Sequence, residues 1–178
     1  MSSHQSQVPA HQVDPLNFRR ACARFATGVA VATVMTSDSI PVGITVNSFT
    51  SVSLLPPIIL ICVDHRSNTL PDFRSSAWFG ISVLEESQRE LSVRFAQHDP
   101  ACFEDGSWFA GESGVPLLNG ALASLECSVN QTVEAGDHTI FLGEVFHARY
   151  CEGSPLIYFQ SEYRELKNRA SAQNIIDQ

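Results

Sequence analysis

The sequence predicts a mainly β protein, an antiparallel barrel or closed sheet flanked by a few short helices. Six or seven apolar, β-branched segments are separated by turn residues, and most follow one another as hairpins. They do not alternate regularly with helices, which argues against a parallel, doubly wound sheet. The length of 178 residues and the apolar fraction of 44% suit a single globular domain.

The first predicted element is a helix that begins near residue 14. Asp14 is a good N-cap, and Pro15 suits the first helical position. Gly28 is expected to end the helix. One face is apolar, which indicates a docking helix, while the arginines lie elsewhere on the helix: Phe18, Ala21, Cys22 and Phe25 form the face, and Arg19, Arg20 and Arg24 lie off it. Covering this face is expected to need apolar surface from a second copy of the chain.

Three strands are predicted next. The segments VAVATVMT and IPVGITVN are apolar and β-branched, and the SDS between them favours a hairpin turn. Pro56 and Pro57 interrupt the ladder. The run IILICV that follows predicts a buried strand.

The middle of the chain predicts two helices around a strand. SNTLPDFRSS favours a short helix with Leu70 and Phe73 facing inward, and WFGISVL predicts a strand. In EESQRELSVRFA and the residue before it, helical spacing places four side chains on one side: Leu84, Gln88, Leu91 and Phe95.

The last third predicts a loop and then more strands. Residues 98–120 are rich in Gly, Pro and Asp and are predicted to be a loop. LASLECSVNQTV and TIFLGEVFHARY predict two long strands joined by EAGDH, and PLIYF predicts a short one. The domain is therefore assigned to residues 14–166, between a disordered tail at 1–13 and a flexible tail at 167–178.

Charge and composition exclude several classes of function. A net charge of −8 without a basic stripe disfavours nucleic-acid binding. A phosphate-bearing ligand would then need a local site built from the few arginines and from backbone N–H groups. No apolar run approaches the roughly 20 residues of a membrane span, and the first residues are polar, so a cytoplasmic protein is expected.

The five scattered cysteines are expected to be free thiols, with Cys62 and Cys127 in the core and Cys102 a candidate for exposure.

Motifs for other chemistries are absent from the sequence. It has no GxGxxG and no GxxxxGK[ST] for nucleotide binding, no GxSxG elbow, and no HExxH or Cys/His spacing for zinc. No catalytic side chain and no metal ligand is therefore assigned.

One stretch, ITVNSFTSVSLLPP at residues 44–57, combines small polar side chains with an adjacent apolar strand. Hydroxyl, amide and backbone groups along such a stretch could bind the edge of a planar ligand whose face needs apolar contact. The alternative is a plain edge strand whose Ser and Thr side chains face water.

The segment GITVNSFTSVSLLPPIILICVD closely resembles the flavin-binding segment of the flavin reductase family, the reductase components of two-component flavin-dependent monooxygenases. The resemblance covers most of the chain, because further motifs follow in order: FRRACARFATGVAVAT, RSNT, SVRFA, AGDHTIFLGEV and PLIYFQSEY. It implies an FMN-binding split barrel, a Greek-key antiparallel barrel that usually forms a homodimer.

The resemblance also implies site residues, position by position. Along the flavin ring it places Thr45, Val46, Asn47, Ser48, Phe49, Ser51 and Val52. At the ribityl chain and phosphate it places Arg66, Ser67, Asn68 and Thr69, with Arg94 and Phe95 closing the far side. His138 of the GDH motif is implied to contact the nicotinamide, and the dinucleotide is implied to face Tyr158, Phe159, Gln160 and Ser161.

The implied reaction is hydride transfer from NADH or NADPH to FMN or FAD, after which reduced flavin diffuses to a separate oxygenase. The cofactors carry this chemistry, so the missing catalytic constellation is expected. Cys102 stands where the family often has a basic residue, and that loop is therefore assigned no ligand contact. Two alternatives stay open at this point, a non-catalytic flavin-binding or electron-carrier module and an oxidase related to the pyridoxamine-phosphate enzymes.

Overall fold

The computed structural model describes residues 13–97, 99–103 and 106–166. The two predicted tails, 1–13 and 167–178, lie outside these ranges except for Val13. Within them the helices are α1 Pro15–Cys22, α2 Leu70–Ser75 and α3 Arg89–Ala96, with short 3₁₀ segments at Glu86–Gln88 and Pro100–Phe103. The strands are β1 Thr27–Gly28, β2 Ala30–Met35, β3 Pro41–Val46, β4 Thr50–Leu54, β5 Pro57–Asp64, β6 Trp78–Val83, β7 Trp108–Ala110, β8 Pro116–Leu118, β9 Ala123–Ala135, β10 His138–Tyr150, β11 Ile157–Phe159 and β12 Glu162–Arg164.

Seven strands form the main sheet in the order β3-β2-β6-β9-β10-β5-β4, and every neighbouring pair is antiparallel. The two outermost strands, β3 and β4, are consecutive in the chain and are joined by residues 47–49 alone. Such a link spans at most about 14 Å between the strand ends. The sheet must therefore curl until its two edges meet, which confirms the predicted closed antiparallel architecture.

The interior divides into two apolar clusters, one on each side of β2. Ala30, Ala32 and Val34 pack with the first cluster, while Val31 packs with the second. β2 is therefore buried on both faces, as its continuous apolar sequence predicts. β5 behaves differently, because Ile59, Ile61 and Val63 are buried but the residues between them are half-buried. The prediction of a fully buried strand at IILICV was wrong in this respect.

The hairpins and internal helices are confirmed. β2 and β3 pair around the SDS turn, and β9 and β10 pair around Gly136 and Asp137. Leu70 and Phe73 of α2 are buried, as is Phe95 of α3.

Other predictions need correction. The side chain of Asp14 caps α1 by accepting from the Asn17 N–H at 2.9 Å, yet the helix ends at Cys22 and none of its residues is buried. Its apolar face is not docked on this chain, since Phe18 is 62% exposed. Gly28 belongs to β1, and the predicted loop at 98–120 contains β7 and β8. The Cys102 thiol is buried, because its 3₁₀ segment packs beneath α3.

None of the helices in the described ranges is long and apolar enough to cross a membrane.

Candidate functional site

A surface groove opens where the edges of the curled sheet meet. Asn47 and Phe49, in the link between β3 and β4, line a cavity of about 280 Å³ together with Val83 and residues 25–30. Asn47 also lines two further cavities beside it, one with Thr45 and Tyr158 and one with Thr27 and Gln160. The polar stretch singled out from the sequence therefore borders a groove with apolar walls, and Asn47 lies at its centre.

Within this stretch, two hydroxyl groups are used inside the fold. The Thr45 hydroxyl donates to the carbonyl oxygen of Ser92 in α3 at 2.6 Å. The Ser48 hydroxyl accepts from the Cys62 N–H at 2.9 Å and donates to the Cys62 carbonyl oxygen at 3.3 Å. The Thr45 bond attaches the end of β3 to α3, and the Ser48 bonds attach the link at residues 47–49 to β5. The exposed Asn47 is thereby presented on a rigid backbone.

The remaining residues of the stretch take different positions. Val46 is buried in the first core cluster, and Phe49 is half-buried against it. Ser51 and Val52 are exposed on the edge strand β4, where a bulge interrupts the pairing with β5.

Helix α3 forms one wall of the groove. Tyr163 of β12 bonds to it through a contact of 2.9 Å between its hydroxyl and that of Ser92. Phe95 is only 1% exposed, so its ring supports the wall from within the core. The Arg94 guanidinium lies 3.3 Å from the Asp99 carboxylate and donates to the Ala101 carbonyl oxygen, so it holds the segment after the helix.

The turn at residues 64–69 follows β5. The Arg66 side chain and backbone N–H donate to the Asp64 carboxylate, at 2.7 and 2.8 Å, and these bonds hold the pKa of Asp64 well below its usual value. The Ser67 and Thr69 hydroxyls lie 2.8 Å apart, and Asn68 is exposed. Arg66 is itself 87% exposed and therefore remains accessible to an anion.

The tip of the β9–β10 hairpin lies beside this turn. His138 stands opposite Asp64 in the strand register, and the His65 N–H donates to the Asp137 carbonyl oxygen at 2.9 Å. The Asp137 carboxylate lies 2.7 Å from Nδ1 of His138, and the hydrogen bond from this ring lowers the pKa of Asp137. A carboxylate can only accept, so Nδ1 carries a proton and a neutral ring presents Nε2 as an acceptor.

The β11–β12 hairpin closes the other end of the groove. Its turn residues Gln160 and Ser161 have φ angles of 54° and 63°, and the Gln160 N–H donates to the Ala23 carbonyl oxygen at 3.1 Å. Tyr158 and Tyr163 stack edge to face with ring centroids 5.4 Å apart. Phe159, which follows Tyr158 on β11, is half-buried.

Most of the predicted site residues fall into two groups, while the others take the separate positions given above: Val46, Ser48, Ser51, Val52, Arg94, Phe95 and Phe159. The first surrounds the groove: Thr45, Asn47, Phe49, Tyr158, Gln160 and Ser161. The second lies at the hairpin tip: Arg66, Ser67, Asn68, Thr69 and His138. Sequence reasoning missed the contribution of residues 25–30, Val83 and Tyr163, whose apolar pattern indicates only core packing.

In the described ranges, no cluster of three or more His, Cys, Asp or Glu side chains is arranged to hold a metal ion. Burial raises the pKa of the Cys127 thiol to about 12, and burial also raises the pKa of Cys62. Neither thiol is therefore activated as a nucleophile.

A family profile described as flavin reductase like domain matches residues 22–167. The chain belongs to this family. It is 43% identical to the FMN reductase (NADH) SmoA of Agrobacterium fabrum over 80% of each chain. It superposes with a TM-score of 0.82 and 40% identity on the NADH:FAD oxidoreductase SgcE6 of Streptomyces globisporus, solved in complex with NAD and FAD fragments, over 91% of this chain and 100% of that one.

A second solved relative is BorF, the flavin reductase component of a bacterial two-component tryptophan halogenase. The TM-score is 0.80 at 37% identity, over 88% of this chain and 100% of that one. These matches confirm the predicted family, the mainly β split-barrel fold, the enzyme class of flavin oxidoreductase, and the flavin and nicotinamide cofactors. The individual contact residues stay predictions.

Proposed function

We propose that this chain oxidises NADH and reduces FMN or FAD, with the flavin ring bound in the groove around Asn47. The observation that carries the proposal is the groove itself, which lies where the sequence predicts flavin contact and combines apolar walls with one exposed amide. A flat heterocycle edged with carbonyls and ring nitrogens needs this combination. Three adjoining cavities of about 200–280 Å³ offer room for it.

The chain contributes binding and orientation. Asn47 can donate to and accept from the ring edge, and Phe49 and Val83 supply apolar contact. Ser51 and Val52 extend this surface along β4. The internal bonds of Thr45 and Ser48 keep Asn47 from moving when a ligand binds. When both cofactors are bound, hydride passes from the nicotinamide to the flavin, and this chemistry belongs to the cofactors.

The flavin phosphate is proposed to lie at residues 66–69. Arg66 is the exposed cation of this turn, and the Ser67 and Thr69 hydroxyls and the Asn68 amide are further hydrogen-bonding groups. Arg94 and Phe95 act from behind the groove, by holding α3 and the segment after it.

His138 is proposed to position the nicotinamide. Asp137 holds its Nδ1, so Nε2 is free to accept from the N–H of a carboxamide. Nicotinamide carries such a group, and a fixed acceptor sets the angle at which the ring meets the flavin. Orientation of this kind is what hydride transfer requires, because the reacting atoms must approach to about 3–3.5 Å.

Reduced flavin is proposed to leave for a separate flavin-dependent monooxygenase or halogenase, as the function of BorF suggests.

We also propose that the enzyme is a homodimer, because several apolar side chains are largely exposed on this chain: Phe25 at 78%, Leu54 at 87%, Leu55 at 93% and Tyr150 at 88%. The proposed compartment is the cytoplasm, where NADH is made and where five free thiols stay reduced.

The direct test is steady-state absorbance at 340 nm with NADH and added FMN or FAD. We expect flavin-dependent loss of NADH in both cases. Flavin binding without NADH oxidation would overturn the enzyme assignment in favour of a flavin-carrier module. Oxygen consumption with an amine substrate and no response to NADH would favour an oxidase related to the pyridoxamine-phosphate enzymes. Sedimentation that shows only monomer at micromolar concentration would contradict the homodimer.

A further inference from the structure

Helix α1 and the turn after it carry three arginines that are not neutralised within the described part of this chain: Arg19 and Arg20 lie on the helix, and Arg24 lies in the turn that follows it. In the part of the chain that the structure describes, the side chains of Arg19, Arg20 and Arg24 make no ion pair and no hydrogen bond. The other arginines of these ranges are engaged: Arg66 with Asp64, Arg74 with Glu134, Arg94 with Asp99, Arg149 with Glu112, Arg164 with Glu162, and Arg89 over the Tyr163 ring. Three unpaired cations at residues 19–24 are unexpected in a protein of net charge −8.

These arginines border one cavity. It measures about 260 Å³ and is lined by Arg19, Arg20 and Arg24 together with Gln160 and Ser161 of the β11–β12 turn. The turn is tied to the end of α1 by the bond from the Gln160 N–H to the Ala23 carbonyl oxygen. The arginines and the polar turn therefore keep a fixed relation to each other.

The arginine cavity is continuous with the groove of the proposed function. Arg19, Gln160 and Ser161 also line the next cavity, which extends to Asn47 and Tyr158. A ligand whose ring lies beside Asn47 can therefore extend along one surface to the arginines. This end of the surface carries three unpaired cations, whereas the turn at 66–69 carries one exposed cation, Arg66, that is also paired with Asp64.

We infer that the arginine cavity binds the diphosphate of a dinucleotide whose ring lies in the groove. The inference rests on the proposed function and adds a second anion site to it. Guanidinium groups bind phosphate oxygens with paired, charge-assisted hydrogen bonds, and three of them match the two charges of a diphosphate with one to spare. NADH and FAD both carry this group, whereas FMN and nicotinamide mononucleotide carry a single phosphate.

The test compares dinucleotides with mononucleotides in the full chain. The double variant Arg19→Gln/Arg24→Gln is titrated with NADH, reduced nicotinamide mononucleotide, FAD and FMN. The matched control is Arg149→Gln, which also removes one exposed arginine but lies outside the cavity. Losing charge-assisted bonds to phosphate should weaken dinucleotide binding about tenfold or more, while mononucleotide affinities stay within about twofold of wild type.

The ligands separate the two sources of the diphosphate. Weaker NADH binding with unchanged FAD binding assigns the cavity to the nicotinamide dinucleotide. The reverse pattern assigns it to FAD, and places the FAD diphosphate here instead of at residues 66–69. Partial recovery in Arg19→Lys/Arg24→Lys would support a charge-based contact. Circular dichroism of each variant checks that α1 is retained, and the single variants serve if the double variant does not fold.

Three results would overturn the inference. The first is unchanged affinity of the double variant for all four ligands. That result would be expected if the arginines bound an acidic partner protein and not a nucleotide. The second is an equal loss for mononucleotides and dinucleotides. The third is a wild-type chain that binds neither flavin nor NADH, which would overturn the proposed function as well. If the wild-type chain binds FMN and the variants bind the dinucleotides as tightly as wild type does, this inference alone is overturned and the proposed function stands.

Discussion

At the residue scale, neighbouring side chains of the polar stretch differ in exposure and in hydrogen bonding within the fold. Asn47 is exposed in the groove, whereas the Ser48 hydroxyl bridges to the backbone of Cys62. The family resemblance implies that both lie at the flavin, and a run of small polar residues does not reveal which groups are already bonded within the fold. Only the curled sheet, which brings the link against β5, separates the exposed Asn47 from the supporting Ser48.

This difference predicts two distinct effects. Asn47→Ala should weaken FMN binding about twofold to tenfold, the effect of one lost hydrogen bond, and leave the melting temperature unchanged. Ser48→Ala should lower the free energy of unfolding by about 1–3 kcal/mol, because the Cys62 N–H loses its partner. Flavin titration and thermal melts of both variants measure this. Equal melting temperatures would refute the supporting role of Ser48.

His138 gives the second prediction at this scale. His138→Ala should raise the KM for NADH about twofold to tenfold, because one neutral hydrogen bond is lost, with flavin affinity nearly unchanged. If the ring also aligns the nicotinamide, kcat should fall as well. His147→Ala is the matched control, since His147 lies on the same strand but pairs with Glu112 at 3.5 Å. Wild-type KM and kcat in His138→Ala would make His138 an ordinary turn residue.

At the element scale, long strands were easier to predict than short ones. β9 and β10 have 13 residues each and a clear turn between them, so the sequence located both. β1, β7, β8 and β12 have two or three residues, too few to show a period of two. The start of helix α1 was predicted correctly, but the helix ends at Cys22 and does not continue to Gly28. Its apolar face is exposed on this chain, and its cover by a second copy stays a prediction.

The Glu134 side chain clamps the β9–β10 hairpin to neighbouring elements, and no sequence motif predicts these contacts. The Glu134 carboxylate binds Arg74 at 2.7 Å and His65 at 2.9 Å, and the buried Thr139 hydroxyl donates to it at 3.2 Å. These contacts tie the hairpin to α2 and to the turn after β5. His138 is thereby held beside residues 64–69 by side chains distant in the sequence.

Removing the clamp should loosen the hairpin tip. Glu134→Ala is expected to speed amide hydrogen exchange at residues 136–138 and to raise the KM for NADH, while flavin affinity stays near wild type. Glu162→Ala, which removes a carboxylate paired with Arg164 on a neighbouring sheet, is the control. Unchanged exchange at the tip would show that strand pairing alone holds His138.

At the scale of the whole molecule, a buried charge attaches a loop to the main sheet. Glu126 of β9 is 2% exposed, and its carboxylate accepts from the N–H groups of Glu112 and Ser113 and from the Ser113 hydroxyl, at 3.1, 2.7 and 2.6 Å. It thus holds the loop between β7 and β8 against the main sheet. Nothing in the local sequence ECSVN distinguishes it from an exposed strand residue, so it was not predicted.

Glu126 predicts how stability depends on pH. Burial alone raises its pKa, but the bonds from Ser113 and Glu112 and the nearby His147 outweigh burial and hold the pKa below its usual value. A lowered folded-state pKa means that the contribution is complete above the unfolded pKa of about 4.3 and is lost as pH falls through the folded value. At pH 7, Glu126→Gln should lower the free energy of unfolding by about 1–3 kcal/mol, because its amide N–H₂ group cannot accept from the loop N–H groups. The gap between wild type and variant should narrow below about pH 4, where wild type protonates. Urea melts across pH 3–8 measure it, and a gap that stays constant throughout that range would show that the Glu126 charge does not hold the loop.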